Sequence, residues 1–359
     1  MNQQCQQLIC LVGSNPLPNY IAVRQLQPES VLLYHTAEDA ERLDSSSRVA
    51  DVLAAALKQF RPQKFDISAT DAPEIARKLG QRHLAGAWLN YTGGTKVMAV
   101  HAYAAFRKLN ETAGPRAFYV DDRGSGSLRF TDGEVRPLSV DLTFEEFWAL
   151  HNVRPRREKT AAGDSPTLAD AEALAGRIFA DGPGLAHELY CQHHNEKARA
   201  KISLAEIGFG DRTVQYGDPS WDSWRRFITG VWLEHWCSSL FDMPTRVGSE
   251  LVFNEREMEL DVLAVRRHRL FLLSCTTSTE VGQCKLKAFE AYHRARQLGG
   301  DHARSALACF LRDEGRDLLK RDMRLPLGGP ETLAVFGLSD LKNWFQGHRD
   351  SLHAWLRES

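Results

Sequence analysis

The chain has 359 residues, with 45 Lys plus Arg against 46 Asp plus Glu and a formal net charge of -1 at pH 7. Hydrophobic residues at 43% and charged residues at 25% give the balance of an ordinary globular protein, which excludes disorder as the main state. Near-neutrality excludes a protein that coats nucleic acid by bulk positive charge, while leaving a local basic groove open.

At about 150 residues per domain, this length predicts two domains or three. No apolar run reaches the roughly 18 residues of a membrane-spanning helix. The first residues lack a basic stretch ahead of their short apolar run, so no signal peptide is expected and the protein reads as cytoplasmic. The seven cysteines, at 5, 10, 191, 237, 275, 284 and 309, are scattered and lack CxxC spacing. Reduced, buried thiols are expected rather than a disulfide framework or a structural zinc.

In chain order, 8–12 is a short apolar strand ending in Gly13-Ser14-Asn15-Pro16, and 31–34 is a second strand followed by a helical stretch over 37–60. Residues 65–67 form a weaker strand. The strand 87–90 ends at Tyr91-Thr92-Gly93-Gly94-Thr95, and 97–109 reads as a helix with Val97, Val100, Tyr103 and Ala104 on one face. A strand at 117–120 precedes two more, 128–130 and 134–138, which flank the hairpin signal Thr131-Asp132-Gly133. Strand–helix alternation with short connections implies right-handed crossovers and a mostly parallel sheet, hence an α/β domain over 1–150.

Residues 154–166 are polar and rich in Pro, Gly and charge, a linker or exposed loop whose Arg154, Arg156, Arg157 and Lys159 are within the chemistry of phosphate contact. Two helical patterns, 167–180 and 184–200, suggest a small helical, winged-helix-like middle segment over 151–220. From 221 the pattern becomes a long aromatic-rich helix over 224–241, strands at 245–253, 258–266 and 269–276, a helix at 285–297 stopped by Gly299-Gly300, strands at 305–311 and 332–336 with a helix between them, and a closing helix over 338–356. This third domain spans 221–359.

Ligands of open α/β sheets bind beyond the carboxyl ends of strands. Two turns there are chemically loaded: Ser14-Asn15 after the first strand, and Thr92-Gly93-Gly94-Thr95-Lys96 after the fourth. Glycines permit close backbone approach, a helix N-terminus favours an anion, and the hydroxyls and Lys96 offer donors. Neither a Walker A loop nor a GxGxxG is present.

These turns, together with Pro16, Pro18-Asn19 and Val97-Met98, resemble a CARF domain, the sensor module of CRISPR ancillary effectors. The likeness is to the type III effectors that join a CARF domain to a restriction-endonuclease-like domain. The resemblance implies a Rossmann-like sensor and a homodimer whose two sensors form one symmetric pocket. It also implies a cyclic oligoadenylate as ligand, facing Ser14, Asn15, Thr92, Gly93, Gly94, Thr95 and Lys96.

The carboxyl part resembles the PD-(D/E)XK nuclease fold. There an Asp ends one strand, E-x-K lies on the next, and a Glu often comes from the preceding helix; carboxylates hold Mg²⁺ or Mn²⁺. Asp261, in Glu259-Leu260-Asp261-Val262, matches the first, and Glu234 matches the helix Glu. The resemblance thus implies metal ligands at Asp261 and Glu234, with Glu259 as a second carboxylate on the same strand face.

The E-x-K positions hold Ser274 and Thr276. Losing a carboxylate and the Lys implies a degenerate site, unless Lys285 or Lys287 of the following helix reaches back, with Glu280 as a further acid. Cys275 reads as a buried thiol, Cys191 and His193 as surface residues rather than metal ligands, and the tryptophans 221, 224, 232 and 236 as core. Arg225, Arg226, Arg266, Arg267 and Arg269 fit either a phosphate-tracking groove or a solvated face. The expectation is a cyclic-oligoadenylate sensor whose output domain binds single-stranded or duplex nucleic acid or a partner, without a membrane. The alternatives are a ligand-activated, metal-dependent nuclease and a ring nuclease that degrades its own ligand.

Overall fold

Five consecutive buried residues, Gln7–Leu11, form β1, the centre of a sheet covered on both faces. In the computed structural model, the described residues are 4–36, 45–82, 86–111, 116–121, 126–156, 165–181, 184–193, 201–205, 213–253, 255–327 and 333–357. They fall into two units, one ending at Arg154 and the other running from Pro155 to Arg357.

The first unit continues with α1 (Leu17–Leu26), β2 (Ser30–Thr36), α2 (Ser46–Ala56), β3 (Pro62–Ile67), α3 (Ala72–Arg82), β4 (Trp88–Asn90), α4 (Lys96–Leu109), β5 (Arg116–Asp121), β6 (Ser127–Phe130), β7 (Val135–Pro137) and α5 (Phe144–Leu150). Strand order is β3-β2-β1-β4-β5-β6-β7. The first five strands are parallel, and β5, β6 and β7 pair antiparallel. This is the Rossmann-like α/β arrangement expected.

Of the helix expected over 37–60, the described part is α2, started by Ser45, whose side chain caps the Arg48 N–H; 37–44 lie outside the described residues. Two helices escaped the periodicity reading. α3 buries only Ile75 and Leu79, and α5 is a single short helix whose Thr143/Glu146 capping box was its sequence signal.

Helix α4 faces the other way from its strongest apolar stripe. Met98, Ala102 and Phe106 are its buried residues, while Val97 and Val100 are 38% and 64% exposed and Ala104 is exposed. Both stripes are apolar, and the inner one carries the larger Met and Phe side chains.

The short β8 (Val153–Pro155) lies at the boundary. The second unit follows with α6 (Leu168–Asp181), α7 (Gly184–His193), the antiparallel ribbon β9 (Lys201–Ser203) and β10 (Thr213–Gln215), α8 (Trp221–Arg226), a π-helical turn Phe227–Val231, and α9 (Trp232–Ser238). It is completed by β11 (Thr245–Phe253), β12 (Arg256–Arg266), β13 (Arg269–Cys275), α10 (Val281–Gly299), β14 (Arg304–Ala308), α11 (Asp313–Leu327), β15 (Leu333–Phe336), α12 (Leu338–Phe345) and α13 (Asp350–Leu356). β11, β12 and β13 form an antiparallel meander, and β13, β14 and β15 run parallel.

The stretch expected as a separate middle domain shares a core with this sheet. Leu174, Ile178, Leu189 and Val214 sit in one buried cluster with Trp224, Trp232, Trp236, Phe271 and Trp344. The tryptophans are thus core, as their spacing suggested. The closing helix is two helices, parted by Gly347 at φ 91°. No described helix is long and apolar enough to cross a membrane. The seven cysteines are free, all buried except Cys191.

Candidate functional site

The two turns expected at the sheet edge do meet. A Cβ on Gly93 would lie 2.2 Å from the Leu11 carbonyl oxygen, and one on Gly13 would lie 3.0 Å from the Gly94 nitrogen. Backbone therefore presses on backbone, which no larger residue permits. Gly94 adopts φ 79°, reversing the chain into α4. Ser14 and Lys96 are exposed at this edge, whereas Asn15 turns inward along its own loop and accepts the Leu17 N–H at 3.0 Å.

The hydroxyls of the second turn are engaged within the fold. Thr95 caps α4: its Oγ1 accepts the Met98 N–H at 3.1 Å and donates to the Ala69 carbonyl at 3.1 Å. Thr92 Oγ1 donates to Asn90 Oδ1 at 2.6 Å and accepts the Val120 N–H at 2.7 Å. β4 ends at Asn90, yet the ladder to β5 continues, first through Tyr91 N–H to the Phe118 carbonyl at 3.1 Å and then through the Thr92 hydroxyl.

Beneath the turns lie Asn19 and Asn90, both 0% exposed. Asn19 was legible as part of the Pro18-Asn19 pair that the CARF resemblance used, and its bond to Asn90 was not. Three half-buried tyrosines also gather here, Tyr91 lying 5.9 Å from Tyr103 and 6.1 Å from Tyr119 between ring centroids. Burial, then these two neighbours, raises the Tyr91 phenol above its ordinary value.

In the second unit, a cleft is lined by Glu259, Leu260, Asp261, Leu272, Ser274, Lys287, Glu290, Ala291 and Arg294. One step beyond the pair Val262 and Leu273, Asp261 faces Ser274 across β12 and β13. Ser274 Oγ donates to Asp261 Oδ2 at 2.8 Å, and the Cys275 N–H donates to the same oxygen at 2.6 Å. On β11, the residue level with Asp261 is Gly248, at φ 56°, and a Cβ there would lie 3.9 Å from Glu234 Oε2. Glu234, on α9, thus lies beside the β11 residue that pairs level with Asp261.

Glu234 Oε2 is buried without a hydrogen-bond partner. Burial first, then the charges of Asp261 and Glu259, push its carboxyl well above the usual range, with Lys287 and Arg226 opposing. Glu259 is tied to arginines: its side chain pairs with Arg226, and Arg294 donates to its carbonyl. Arg294 also pairs with Glu290 at 2.5 Å.

Two expectations change. Lys285 does not turn to this cleft; its Nζ pairs with Asp322 on α11 at 3.1 Å. Two residues on, Lys287 falls on the helix face that lines the cleft, because a helical residue points about 100° away per step. Thr276 lies past the end of β13 and accepts the Ser278 N–H at 3.2 Å. Glu290 and Arg294, at i+3 and i+7 from Lys287, were missed, and that spacing was the available signal. Among the described residues no group of three His, Cys, Asp or Glu side chains is placed to hold a metal ion. Asp261 Oδ2 takes two hydrogen bonds and Glu259 is paired to Arg226, so the carboxylate oxygens left for the divalent cation that the nuclease likeness implied include Asp261 Oδ1 and the unpartnered Glu234 Oε2.

Residues 7–147 match the family described as the Card1 CARF domain. Among solved structures, Can2 from Sulfobacillus thermosulfidooxidans, in complex with cyclic tetra-adenylate (cA4), matches 98% of this chain and 99% of its own, with TM-score 0.72 and 18% identity. Protein VC1899 from Vibrio cholerae matches over the same shares of the two chains, with TM-score 0.71 and 16% identity. A type III CRISPR defence DNA nuclease activated by cyclic oligoadenylate matches 86% of this chain and 46% of its own, with TM-score 0.55 and 21% identity. At such identities the likeness is one of fold. No curated protein matches the chain.

Proposed function

We propose that this chain, whose residues 7–147 match the Card1 CARF domain, is a cytoplasmic cyclic-oligoadenylate sensor of type III CRISPR defence. The observation that carries the reading is the pair of glycine turns packed backbone to backbone, with Ser14 and Lys96 exposed beside them at the carboxyl edge of the parallel sheet. Such an edge suits an anion that approaches main chain closely, and a ring of phosphodiesters is one. The cA4 complex of the structurally similar Can2 supports the same ligand class.

The partner in this reading is a second copy. The exposed stripe Val97, Val100 and Ala104 rises from Lys96 along α4, and pairing two such stripes covers apolar surface and brings two Lys96 side chains to one ring. A Val100→Glu variant should then lower the mass seen in light scattering from dimer to monomer, and an unchanged dimer would remove α4 from the interface.

The second unit is the output domain, with a nuclease-like sheet whose E-x-K is replaced by Ser274 and Thr276. Its cleft keeps Lys287 and Arg294 but has its carboxylates bound internally, which supports binding of nucleic acid or a partner over cutting. The second reading, a ligand-activated nuclease, draws on Lys287 lining the cleft with Asp261. The ring-nuclease alternative draws less support, because the Thr92 and Thr95 hydroxyls are already engaged.

Calorimetry with cyclic tri-, tetra- and hexa-adenylate tests the sensor: heat is expected with one ring size, and none with any ring at tens of micromolar protein overturns the reading. Labelled DNA and RNA incubated with Mn²⁺ and ligand test the output. Intact substrate is expected, and cleavage abolished by Asp261→Ala would establish the nuclease instead.

A further inference from the structure

We propose that Asn19, Asn90 and Thr92 form a buried relay that holds the two turns of the sensor in register, so that Thr92 sets ligand affinity by positioning the turn and not by touching the ligand. The inference rests on the sensor reading above and deepens it.

The relay is continuous. Asn19 Nδ2 donates to the Leu11 carbonyl at 2.9 Å, and Asn90 Nδ2 donates to Asn19 Oδ1 at 2.8 Å. Asn90 Oδ1 then accepts two donors of one residue, the Thr92 N–H at 3.1 Å and the Thr92 hydroxyl at 2.6 Å. The Thr92 oxygen in turn accepts the Val120 N–H at 2.7 Å. Five segments are joined in a line: the end of β1, α1, the end of β4, the glycine turn and β5.

Polarity makes the line directional. Turning either amide over would set two NH₂ groups, or two oxygens, against each other at a fully buried site, so each Asn has one workable orientation. The Thr92 hydroxyl has one hydrogen, and it is committed to Asn90. What remains on that oxygen is a lone pair, which repels a phosphate oxygen. Thr95 is committed in the same way to Ala69 and Met98. Side-chain donors for an anion therefore reduce to the exposed Ser14 and Lys96 and the NH₂ group of the half-buried Asn15.

Register matters because Leu11, whose carbonyl the relay holds, is also the residue against which Gly93 packs without room for a methyl group. A small shift of the turn changes every backbone N–H that faces the ligand. Asn19 and Asn90 are thus positioning residues, and Thr92 with them.

The test uses the full chain and cyclic tetra-adenylate, with affinity measured by calorimetry at several salt concentrations and stability measured by thermal melting. Thr92→Val keeps the shape and removes the hydroxyl; Thr92→Ser keeps the hydroxyl. Thr92→Val should weaken binding about tenfold or more, with the wild-type salt dependence, and Thr92→Ser should recover most of the affinity. Lys96→Gln should instead flatten the salt dependence, as loss of a phosphate contact does. Wild-type affinity in Thr92→Val, with only a lower melting temperature, would overturn the proposal, and so would a salt dependence flattened as in Lys96→Gln.

If the wild type binds no cyclic oligoadenylate, the sensor reading fails, and the relay is judged by amide exchange alone. Faster exchange at Val120 in Thr92→Val and Asn19→Leu upholds it; unchanged exchange overturns it.

Discussion

The sheet-edge turns of the first unit and the cleft of the second unit handle charge in opposite ways. At the turns the polar side chains beneath the surface are amides and hydroxyls, each bonded to backbone or to another amide, and the charged side chain of the turn, Lys96, stands exposed. In the cleft, carboxylates and cations crowd together and bond one another: Arg226 to Glu259, Arg294 to Glu290, Ser274 and Cys275 to Asp261. A site with its framework satisfied and a cation left over is organised for an incoming anion before it arrives. Where Glu259, Glu290 and Asp261 Oδ2 are already bonded, an incoming group must displace those bonds, while Glu234 Oε2 beside them is buried without a partner.

The largest effect that would sharpen this contrast is expected from Gly93→Ala. A methyl group 2.2 Å from the Leu11 oxygen cannot be absorbed by a flexible side chain, since both neighbours are main chain. Urea unfolding should show a loss of about 3 kcal/mol, with ligand binding abolished. A variant that binds normally would show that the turn is looser than its packing implies.

Next is Lys96→Gln. If two copies present two lysines to one ring, the loss of two charge-assisted contacts should cost about 100-fold in affinity while the melting temperature stays near wild type. Calorimetry and melting on one preparation check both halves, and an equal loss of stability would mean that Lys96 belongs to the framework.

In the cleft, Asp261→Ala leaves the Ser274 hydroxyl and the Cys275 N–H without their common acceptor, and should lower stability by about 2 kcal/mol in urea. Affinity for the cyclic ligand at the other unit should be untouched. A stable variant would show that water replaces the carboxylate readily, and would weaken the picture of a closed internal network.

How legible these two regions were differs for the same reason. The parallel sheet and its glycine turns were readable because strand runs end abruptly at Gly13 and Gly93-Gly94, and a positive φ or a tight approach restricts the residue type. The direction of side chains around the turns was not. Thr92 and Thr95 fit ligand contact equally well on paper, and only the positions of Asn90, Val120 and Ala69, distant in sequence, show that their hydroxyls are engaged.

In the second unit the strand order was readable, and so was the placing of Asp261 and Ser274 on the two strands that pair, β12 and β13. Lys285 and Lys287 were not distinguishable, since a two-residue step on a helix reverses the face and the start of α10 lies four residues before the expected one. The fate of 151–220 was also hidden. Its short helices have no core of their own, and their partners are tryptophans farther along the chain.

The smallest effect, and the one that probes the cleft most directly, is the pH dependence of Glu234. Its folded pKa lies above the ordinary carboxylate value, which the unfolded chain keeps. Below that ordinary value both states are protonated and the residue costs nothing. As pH rises beyond it, the unfolded chain releases the proton while the folded chain retains it, so stability falls until the folded pKa is passed. Glu234→Gln fixes the neutral form. Urea unfolding should therefore find the variant equal to wild type near pH 4 and more stable than wild type at neutral pH, the gap opening between the two. Parallel profiles would mean that Oε2 finds a proton donor or a cation on folding. Because burial holds the proton on Glu234 more strongly than the Asp261 charge does, Asp261→Asn should narrow the window from its upper end without closing it. Complete closure would show that charge repulsion, and not burial, holds the proton on Glu234.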